Sequence, residues 1–68
     1  MIQINGKETD LTEVLLATYL EEHGYKRERI AVECNEKIVP KAQYDTFLLK
    51  DGDIVEIVSF VGGGGKNS

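Results

Sequence analysis

The sequence predicts an α+β fold in which one main helix packs across one face of a small mixed sheet. The chain has 68 residues, which is enough for a single domain. Segment 11–23 has apolar residues at helical spacing, whereas several other segments alternate apolar and polar residues or are rich in β-branched residues. Because a helix and a sheet must each bury an apolar face, packing one on the other is the expected arrangement.

The N-terminal segment predicts a β-hairpin followed by the helix. Ile2 and Ile4 alternate with polar residues, and Asn5-Gly6 is a turn signal because both residues tolerate positive φ. A return strand over 7–9 follows. Asp10 and Glu13 have the spacing of a capping box, so we expect the helix to cover 11–23. Gly24 then provides a left-handed helix stop.

The middle of the chain predicts two short strands and a helical turn. Residues 30–35 alternate, a turn over 35–37 follows, and Pro40 ends the next strand because it cannot donate to a ladder. We expect a short helical turn over 41–46 and a short strand over 47–49. A tight turn at Asp51-Gly52-Asp53 leads into the last strand.

The last strand, predicted over 54–61, is apolar on both faces. We assign Val55 and Ile57 to the core beneath the helix. Val58 and Phe60 then lie on the face that carries Glu56, which predicts an exposed docking patch beside the C-terminal tail. The alternative is a bulge or an irregular strand that buries Phe60.

Four consecutive glycines, 62–65, follow the last strand, so we divide the chain into a domain over 1–61 and a flexible tail over 62–68. Glycine loses the most conformational entropy on ordering, which predicts a mobile segment. Four extended residues reach roughly 13 Å. A backbone without side chains can enter a channel that any Cβ would block, which is useful if the terminal carboxylate is a substrate. The alternative is a plain linker.

Charge and cysteine content exclude several classes of function. The net charge is −4 and no extended basic stripe is present, which argues against nucleic-acid and anionic-membrane binding and favours a basic protein partner. Cys34 is the single cysteine, so no intrachain disulfide can form. With no signal pattern or membrane-length apolar run, we expect a cytoplasmic protein.

No set of residues has the spacing of a catalytic or metal site. Cys34 lies on a strand face with apolar neighbours and is interpreted as a small hydrophobe. His23 is the single histidine, and its place at a helix end predicts a solvated terminus. Asp51 and Asp53 are explained by a turn around Gly52. The glycine run lacks the residues of a phosphate-binding loop. We therefore expect a protein that is not an enzyme and binds no metal.

Three segments in order resemble one family. They are MIQINGK at the start, AVECNEKIVPK in the middle and DGDIVEIVSFVGGG at the close. Together they resemble the ThiS sulfur carriers of thiamine thiazole biosynthesis, along nearly the whole chain. The resemblance implies a ubiquitin-like β-grasp fold, with four to five strands packed on one main helix.

The resemblance also implies the chemistry and the partners. In this family an E1-like adenylyltransferase uses ATP to convert the terminal glycine carboxylate to an acyl-adenylate. A cysteine desulfurase or another persulfide donor supplies sulfur, and thiazole synthase consumes the resulting thiocarboxylate. The carrier is then a substrate that binds no cofactor itself. The implied sulfur-carrying tail is Gly63, Gly64 and Gly65. As our own hypothesis from the exposed strand face beside this tail, we predict Val58, Phe60, Val61 and Gly62 as the docking residues.

The end of the chain departs from the family pattern. The terminal glycine pair falls on Gly63 and Gly64, or on Gly64 and Gly65 if the tail is shifted by one residue. This chain continues with Lys66, Asn67 and Ser68. Three explanations stay open: a processing protease trims a precursor, the extra residues are foreign to the natural chain, or the protein is never activated.

Two other functions are compatible with these features. One is a sulfur carrier for another pathway, such as molybdopterin or cysteine synthesis. Such molybdopterin carriers are longer and approach the tail through prolines, which VSFVGGGG lacks. The other is a non-transferring β-grasp module with a regulatory or binding role, which the Lys66-Asn67-Ser68 end favours.

Overall fold

The computed structural model describes residues 1–60 of the chain, and it confirms a β-grasp arrangement of one helix on a mixed five-stranded sheet. The helix α1 covers Leu16–Glu22, and two single-turn 3₁₀ helices cover Arg27–Arg29 and Lys41–Gln43. The strands are β1 (Gln3–Ile4), β2 (Lys7–Glu8), β3 (Glu13–Leu15), β4 (Ile30–Cys34), β5 (Lys37–Val39), β6 (Leu48–Lys50) and β7 (Ile54–Ser59).

The main sheet has the strand order β2-β1-β7-β4-β5. Its first and last strands lie side by side, because β1 pairs in parallel with β7. The remaining pairs in this sheet are antiparallel. β3 and β6 form a separate two-stranded antiparallel sheet. In this arrangement β7, the strand that leads to the tail, is central and paired on both sides.

The predicted start of the helix is wrong. The helix begins at Leu16 rather than at residue 11, and the expected capping box of Asp10 and Glu13 does not form, since the N-cap residue is Leu15 and has no side-chain cap bond. Residues Glu13–Leu15 instead pair with β6, and the Leu16 amide donates to the Phe47 carbonyl at 2.8 Å. These long-range backbone bonds override the local helical pattern.

The core lies between α1 and the inner face of the main sheet. The helix buries Leu16, Ala17, Tyr19 and Leu20. The inner sheet face contributes the buried side chains Ile2, Ile4, Ile30, Val32, Cys34, Val39, Val55 and Ile57. The prediction that Val55 and Ile57 face the core is therefore confirmed, and the outer face of the same sheet is left without a covering element among residues 1–60.

Tight turns at the predicted places shape the sheet. Asn5 and Gly6 have φ of 52° and 82°, and Gly52 and Gly24 also have positive φ, as the sequence predicts. The helical turn expected over 41–46 is confirmed in shorter form as Lys41–Gln43. Among the described residues, no helix is long and apolar enough to cross a membrane.

Candidate functional site

The candidate site is the end of β7, where the chain leaves the domain. The predicted sulfur-carrying residues Gly63, Gly64 and Gly65 lie outside the described residues. So do two predicted docking residues, Val61 and Gly62. What the structure describes is the base from which the tail departs, including the other two predicted docking residues, Val58 and Phe60.

Backbone hydrogen bonds fix the end of β7 as far as the last described residue. Ser59 pairs with Ile30 of β4 in the antiparallel register. The Phe60 amide then donates to the carbonyl oxygen of Arg29 at 2.7 Å. β1 pairs with β7 only at Ile54 and Val55, so β4 and the Arg29 carbonyl hold the strand at Ser59 and Phe60. The point and the direction from which the tail departs are therefore set by the fold.

Val58 and Phe60 are exposed, as predicted from the alternation of the strand. Their exposed fractions are 53% and 57%, whereas Val55 and Ile57 on the other face are buried. The alternative of a bulge that buries Phe60 is wrong. An exposed valine and an exposed phenylalanine beside the tail offer apolar area that a partner can cover. Their role in docking stays a prediction.

A cationic side chain that the sequence analysis missed lies against Phe60. The Lys41 ammonium is 6.0 Å from the centroid of the Phe60 ring and donates to the Ile30 carbonyl at 2.6 Å. Such a placement over an aromatic ring is favourable. Lys41 and Phe60 are far apart in sequence, and no local pattern indicates their contact. Only the pairing of β4 with β7 brings them together.

Phe60 also lines an open groove of about 310 Å³. Arg29 and Lys26 line it together with Tyr25 and Ser59. Three cations, Lys26, Arg29 and Lys41, therefore lie near the end of β7, although the chain as a whole has a net charge of −4. This local excess of positive charge was not predicted from the sequence, where Glu28 interrupts the basic segment.

Further along the outer face of the sheet, beyond Val58, the side chains are acidic rather than basic. Glu56 of β7 lies directly opposite Glu33 of β4, and Glu33 lies opposite Ile38 of β5. Ile38 and Ile54 are exposed by 73% and 49%. Ile38 was not predicted as part of the docking patch, although its alternation with the buried Val39 could have indicated an outward side chain.

Cys34 is buried and takes no part in the site. It is 6% exposed, as the interpretation as a small hydrophobe predicts. Burial, together with the nearby Asp53 carboxylate, raises the pKa of the Cys34 thiol from 9.0 to about 11. The thiol is therefore neutral at physiological pH, and a neutral thiol is a poor nucleophile.

The other candidate side chains have structural contacts. His23 is exposed at the helix C-terminus, where its ring stacks on Tyr19 with 4.0 Å between centroids. Asp53 accepts hydrogen bonds from Asn35 and from the Lys50 amide, and Asp51 pairs with the N-terminal amino group. Within residues 1–60, no three His, Cys, Asp or Glu side chains converge as a metal site would require.

Comparison with known proteins identifies the family. The model of the ThiS family matches residues 2–64. The sulfur carrier protein ThiS of Bacillus subtilis is 40% identical over 70 aligned positions, which cover 94% of this chain and all of that protein. The chain belongs to the ThiS family. The sequence-based interpretation as a ThiS sulfur carrier of thiamine biosynthesis is thereby confirmed.

A solved ThiS structure confirms the fold. The crystal structure of the thiamine biosynthesis protein ThiS from Geobacter metallireducens superposes with a TM-score of 0.73 at 30% sequence identity. The superposition covers 93% of this chain and 97% of that chain. The likeness therefore extends over the whole ThiS domain rather than over a shared fragment.

A third relative has a different architecture. The thiazole synthase of Paramagnetospirillum magneticum is 42% identical to this chain over 62 residues. That alignment covers 90% of this chain, which spans only 19% of the length of the thiazole synthase. In that protein a ThiS-like segment is therefore part of a much longer chain.

Proposed function

We propose that this ThiS family member carries sulfur as a thiocarboxylate on Gly64, after removal of the residues that follow it. The family model matches the chain up to residue 64, and four residues, 65–68, lie beyond that match. This supports Gly64 rather than Gly65 as the reacting terminus, with Gly63 as its neighbour. A processing protease would expose the Gly64 carboxylate before the first chemical step.

The chemistry follows from the poor reactivity of a carboxylate. An E1-like adenylyltransferase transfers AMP from ATP to the Gly64 carboxylate and releases pyrophosphate. A persulfide of a cysteine desulfurase, or of an equivalent donor, then attacks the activated carbonyl carbon, and AMP leaves with the electrons of the C–O bond. A thiol then attacks the donor-cysteine sulfur of the resulting acyl disulfide and forms a disulfide with it. The S–S bond to the acyl group breaks and releases the thiocarboxylate that thiazole synthase consumes.

In this proposal the chain is a substrate of its partners rather than an enzyme. ATP binds to the adenylyltransferase, and the chain itself needs no cofactor. Its own contribution is to present a terminal backbone without Cβ atoms, which fits a narrow channel. We place the cycle in the cytoplasm, which agrees with a single cysteine that is buried and unpaired by disulfide among the described residues.

The observation that carries the proposal is the surface from which the tail departs. Val58 and Phe60 are exposed at the end of β7, which is paired with β4 up to Ser59, shortly before the glycine run. A hydrogen-bonded strand end beside an exposed apolar patch lets a partner bind the domain and receive the tail in one orientation. The thiamine and thiazole names of the relatives support this pathway over molybdopterin or cysteine synthesis.

The test is activation of defined chain ends. Chains that end at Gly64, at Gly65 and at Ser68 are incubated with the adenylyltransferase of the same organism, and ATP–pyrophosphate exchange is measured. We expect exchange with the Gly64 end and none with the Ser68 end. A Gly64→Ala change in the chain that ends at residue 64 is the matched control, because its Cβ should block the channel. No exchange with the Gly64 end would overturn the proposal.

One specific observation favours a second function. The Lys66-Asn67-Ser68 end is unlike a reactive glycine terminus, and it would suit a β-grasp module that binds partners without transferring sulfur. Under this alternative no chain end supports pyrophosphate exchange, and the natural protein keeps Ser68. The same set of chain ends therefore separates the two functions.

A further inference from the structure

The outer face of the main sheet carries exposed apolar side chains. Ile38 of β5, together with Val58 and Phe60 of β7, is more than half exposed. β4 lies between these two strands, so the side chains share one surface. Among residues 1–60 no element covers them, since α1 packs on the inner face. Exposed apolar side chains on one continuous face indicate a surface that another molecule covers.

Charged side chains give this outer face two ends of opposite sign. At the acidic end, Glu56 of β7 lies directly opposite Glu33 of β4. At the basic end, the Arg29 carbonyl accepts from the Phe60 amide, which places Arg29 beside Phe60. The Lys41 ammonium lies 6.0 Å from the centroid of the Phe60 ring. None of these charged side chains forms an ion pair within residues 1–60, so both ends can pair with charges from outside the domain.

Val58 lies midway between the two charged ends. On the same strand face it is two residues from Glu56 and two residues from Phe60, which corresponds to about 7 Å in each direction. Ala31 of β4 lies directly opposite Val58 and is likewise two residues from each charged position on its strand. A half turn about a line through these two small apolar residues therefore exchanges the acidic end with the basic end.

We propose that two copies of this chain form a twofold symmetric dimer through the outer face, so that the occupant of the face is a second copy. A twofold axis that runs across the strands at Val58 turns β7 of the second copy antiparallel to β7 of the first. Glu33 of each copy then faces Arg29 of the other. In the same way, Glu56 of each copy faces Lys41. Each attractive contact forms twice, because a twofold interface brings the same patch of both copies together.

The charges select this orientation over the other symmetric one. With the axis along β7, the two β7 strands would run parallel, and Glu56 of one copy would face Glu56 of the other. Like charges across an interface disfavour that placement. The antiparallel dimer also relieves the repulsion between Glu33 and Glu56 within each sheet, since each carboxylate gains a cation of the other copy as its neighbour.

The size of the face predicts a weak and reversible dimer. Five strands about 4.8 Å apart, with six residues of about 3.3 Å each in β7, give a face on the order of 500 Å². Stable complexes bury about 800 Å² on each partner. Exposed ion pairs at the borders add little affinity. We therefore expect a dissociation constant on the order of 0.1 mM at low salt, and a weaker dimer at high salt.

Such a dimer covers the end of β7 in both copies. The apolar side chains beside the tail are then shielded from water while no other partner is bound, and weak association lets a partner displace the second copy by mass action. This consequence rests on the proposed function, because it concerns the partners of sulfur transfer. The dimer itself does not, since its contacts lie within residues 1–60.

The first test measures the mass of the full chain in solution by sedimentation equilibrium. As the concentration rises to about 1 mM, the average mass should increase from that of one chain toward that of two, and high salt should lower it again. A wild-type chain that stays monomeric at about 1 mM in low salt would overturn the proposal.

Charge reversal then tests the symmetry of the contact. Glu33→Lys/Glu56→Lys makes both ends of the face basic, and Arg29→Glu/Lys41→Glu makes both ends acidic. Neither variant should dimerise by itself. An equal mixture of the two should form a heterodimer at least as tight as the wild-type dimer, because every facing pair then has opposite charges. Absence of a heterodimer between the folded variants would contradict the twofold arrangement.

Matched variants control for net charge. Glu21→Lys/Glu22→Lys on α1 has the net charge of the basic variant, and Lys7→Glu/Lys50→Glu has that of the acidic one. Both should dimerise like the wild type. A mixture of Lys7→Glu/Lys50→Glu with the basic variant should associate more weakly than the mixture of the two face variants. Equal association in both mixtures would indicate a general attraction of charge and would overturn the proposal.

Circular dichroism checks that each variant is folded. Lys41→Glu removes the hydrogen bond from the Lys41 ammonium to the Ile30 carbonyl. If the acidic double variant is unfolded, Arg29→Glu alone takes its place, because it keeps that bond. It should dimerise more weakly than the wild type and regain association with Glu33→Lys, and failure to do so would contradict the contact between these two residues.

Pyrophosphate exchange on the same preparations separates this inference from the proposed function. A wild-type chain that is activated at the Gly64 end but never dimerises would overturn the dimer and leave the sulfur-carrier function standing. A chain that dimerises as described but is activated at no chain end would overturn the proposed function and leave the dimer standing.

Discussion

The side-chain amide of Asn35 donates a hydrogen bond to the carboxylate of Asp53, with 3.0 Å between Nδ2 and Oδ1. The carbonyl oxygen of the same Asn35 side chain accepts from the Ile54 amide at 2.9 Å. The other Asp53 oxygen accepts from the Lys50 amide at 2.8 Å. Asn35 follows β4 and Asp53 precedes β7, so this pair joins two turns at the end of the sheet opposite to Phe60. It also joins two of the segments that carry the family resemblance.

Replacing Asn35 by alanine should destabilise the domain. The variant loses both side-chain hydrogen bonds, each of which contributes about 1 kcal/mol at a surface turn. It also places alanine at φ 54°, a conformation that asparagine tolerates better. We expect the free energy of unfolding to fall by about 3 kcal/mol, of which about 2 kcal/mol come from the two bonds and about 1 kcal/mol from the strained backbone, measured by urea denaturation.

An Asn35→Gly variant serves as the control. Glycine adopts positive φ without strain but makes no side-chain bonds, so it should lose only the contribution of the two bonds, about 2 kcal/mol. Equal stability of wild type and Asn35→Ala would show that the contact with Asp53 does not stabilise the fold.

Glu36 should respond in the opposite direction. It follows Asn35 in the turn between β4 and β5 and has φ of 71°, which is unfavourable for a residue with a Cβ. Glu36→Gly should raise the free energy of unfolding by about 1 kcal/mol, whereas Glu36→Ala, which keeps the Cβ, should change it little. A Glu36→Gly variant no more stable than Glu36→Ala would rule out backbone strain at this position.

Local rules predict the parts of this fold that local contacts determine. Asn5-Gly6 and Gly24 were predicted from their tolerance of positive φ, and the outward Val58 and Phe60 were predicted from strand alternation. The start of the helix could not be predicted in this way. Val14 fits a helical face as well as a strand. Its strand conformation depends on pairing with Leu49, which is distant in sequence.

In the candidate site too, the features within one segment of sequence were predictable, and those that depend on long-range pairing were not. The glycine run and the apolar patch are visible in one continuous segment of sequence. The cations around Phe60 are not, because Lys41 reaches it only through the fold, and Arg29 reaches it through a backbone bond. The opposed pair of Glu33 and Glu56 likewise depends on the register of β4 with β7, which no single segment specifies.

Stability should fall at alkaline pH in part because of Cys34. The pKa of its thiol is about 11 in the folded chain, against an ordinary value of 9.0. Between these pH values the unfolded chain releases this proton first, so the unfolded state is favoured as pH rises. The stability contributed by the neutral thiol is therefore present below pH 9 and is lost toward pH 11, with a total on the order of 2 kcal/mol.

Cys34→Ala provides the comparison. Burial also raises the pKa values of Tyr19 and Tyr44, which act in the same direction in both proteins. The alanine variant is less stable at neutral pH because it leaves a small cavity, but its free energy of unfolding should fall less steeply between pH 9 and 11. Parallel pH profiles for the two proteins would exclude the cysteine as a source of the alkaline loss.

Phe60→Asp should weaken adenylation without unfolding the domain. Phe60 is 57% exposed, so the change removes apolar contact area from the proposed interface and little packing from the core. We expect pyrophosphate exchange to need at least tenfold more carrier, which corresponds to about 1.4 kcal/mol of lost binding. The measurement is the exchange rate as a function of carrier concentration.

Thr18→Asp is the matched control for Phe60→Asp, because it adds the same charge on the exposed side of α1. It should leave the exchange rate unchanged. Normal adenylation of a folded Phe60→Asp protein would remove Phe60 from the docking residues, and an equal loss in both variants would indicate a general effect of charge.

The intact mass of the untagged protein from its own cells tests the central claim most directly. We expect a chain that ends at Gly64, with one oxygen replaced by sulfur in a fraction of the molecules. That result would demonstrate both the trimming of the tail and its sulfur chemistry. A mass that always includes Ser68, in cells that are making thiamine, would contradict the claim, because the Gly64 carboxylate would never be exposed.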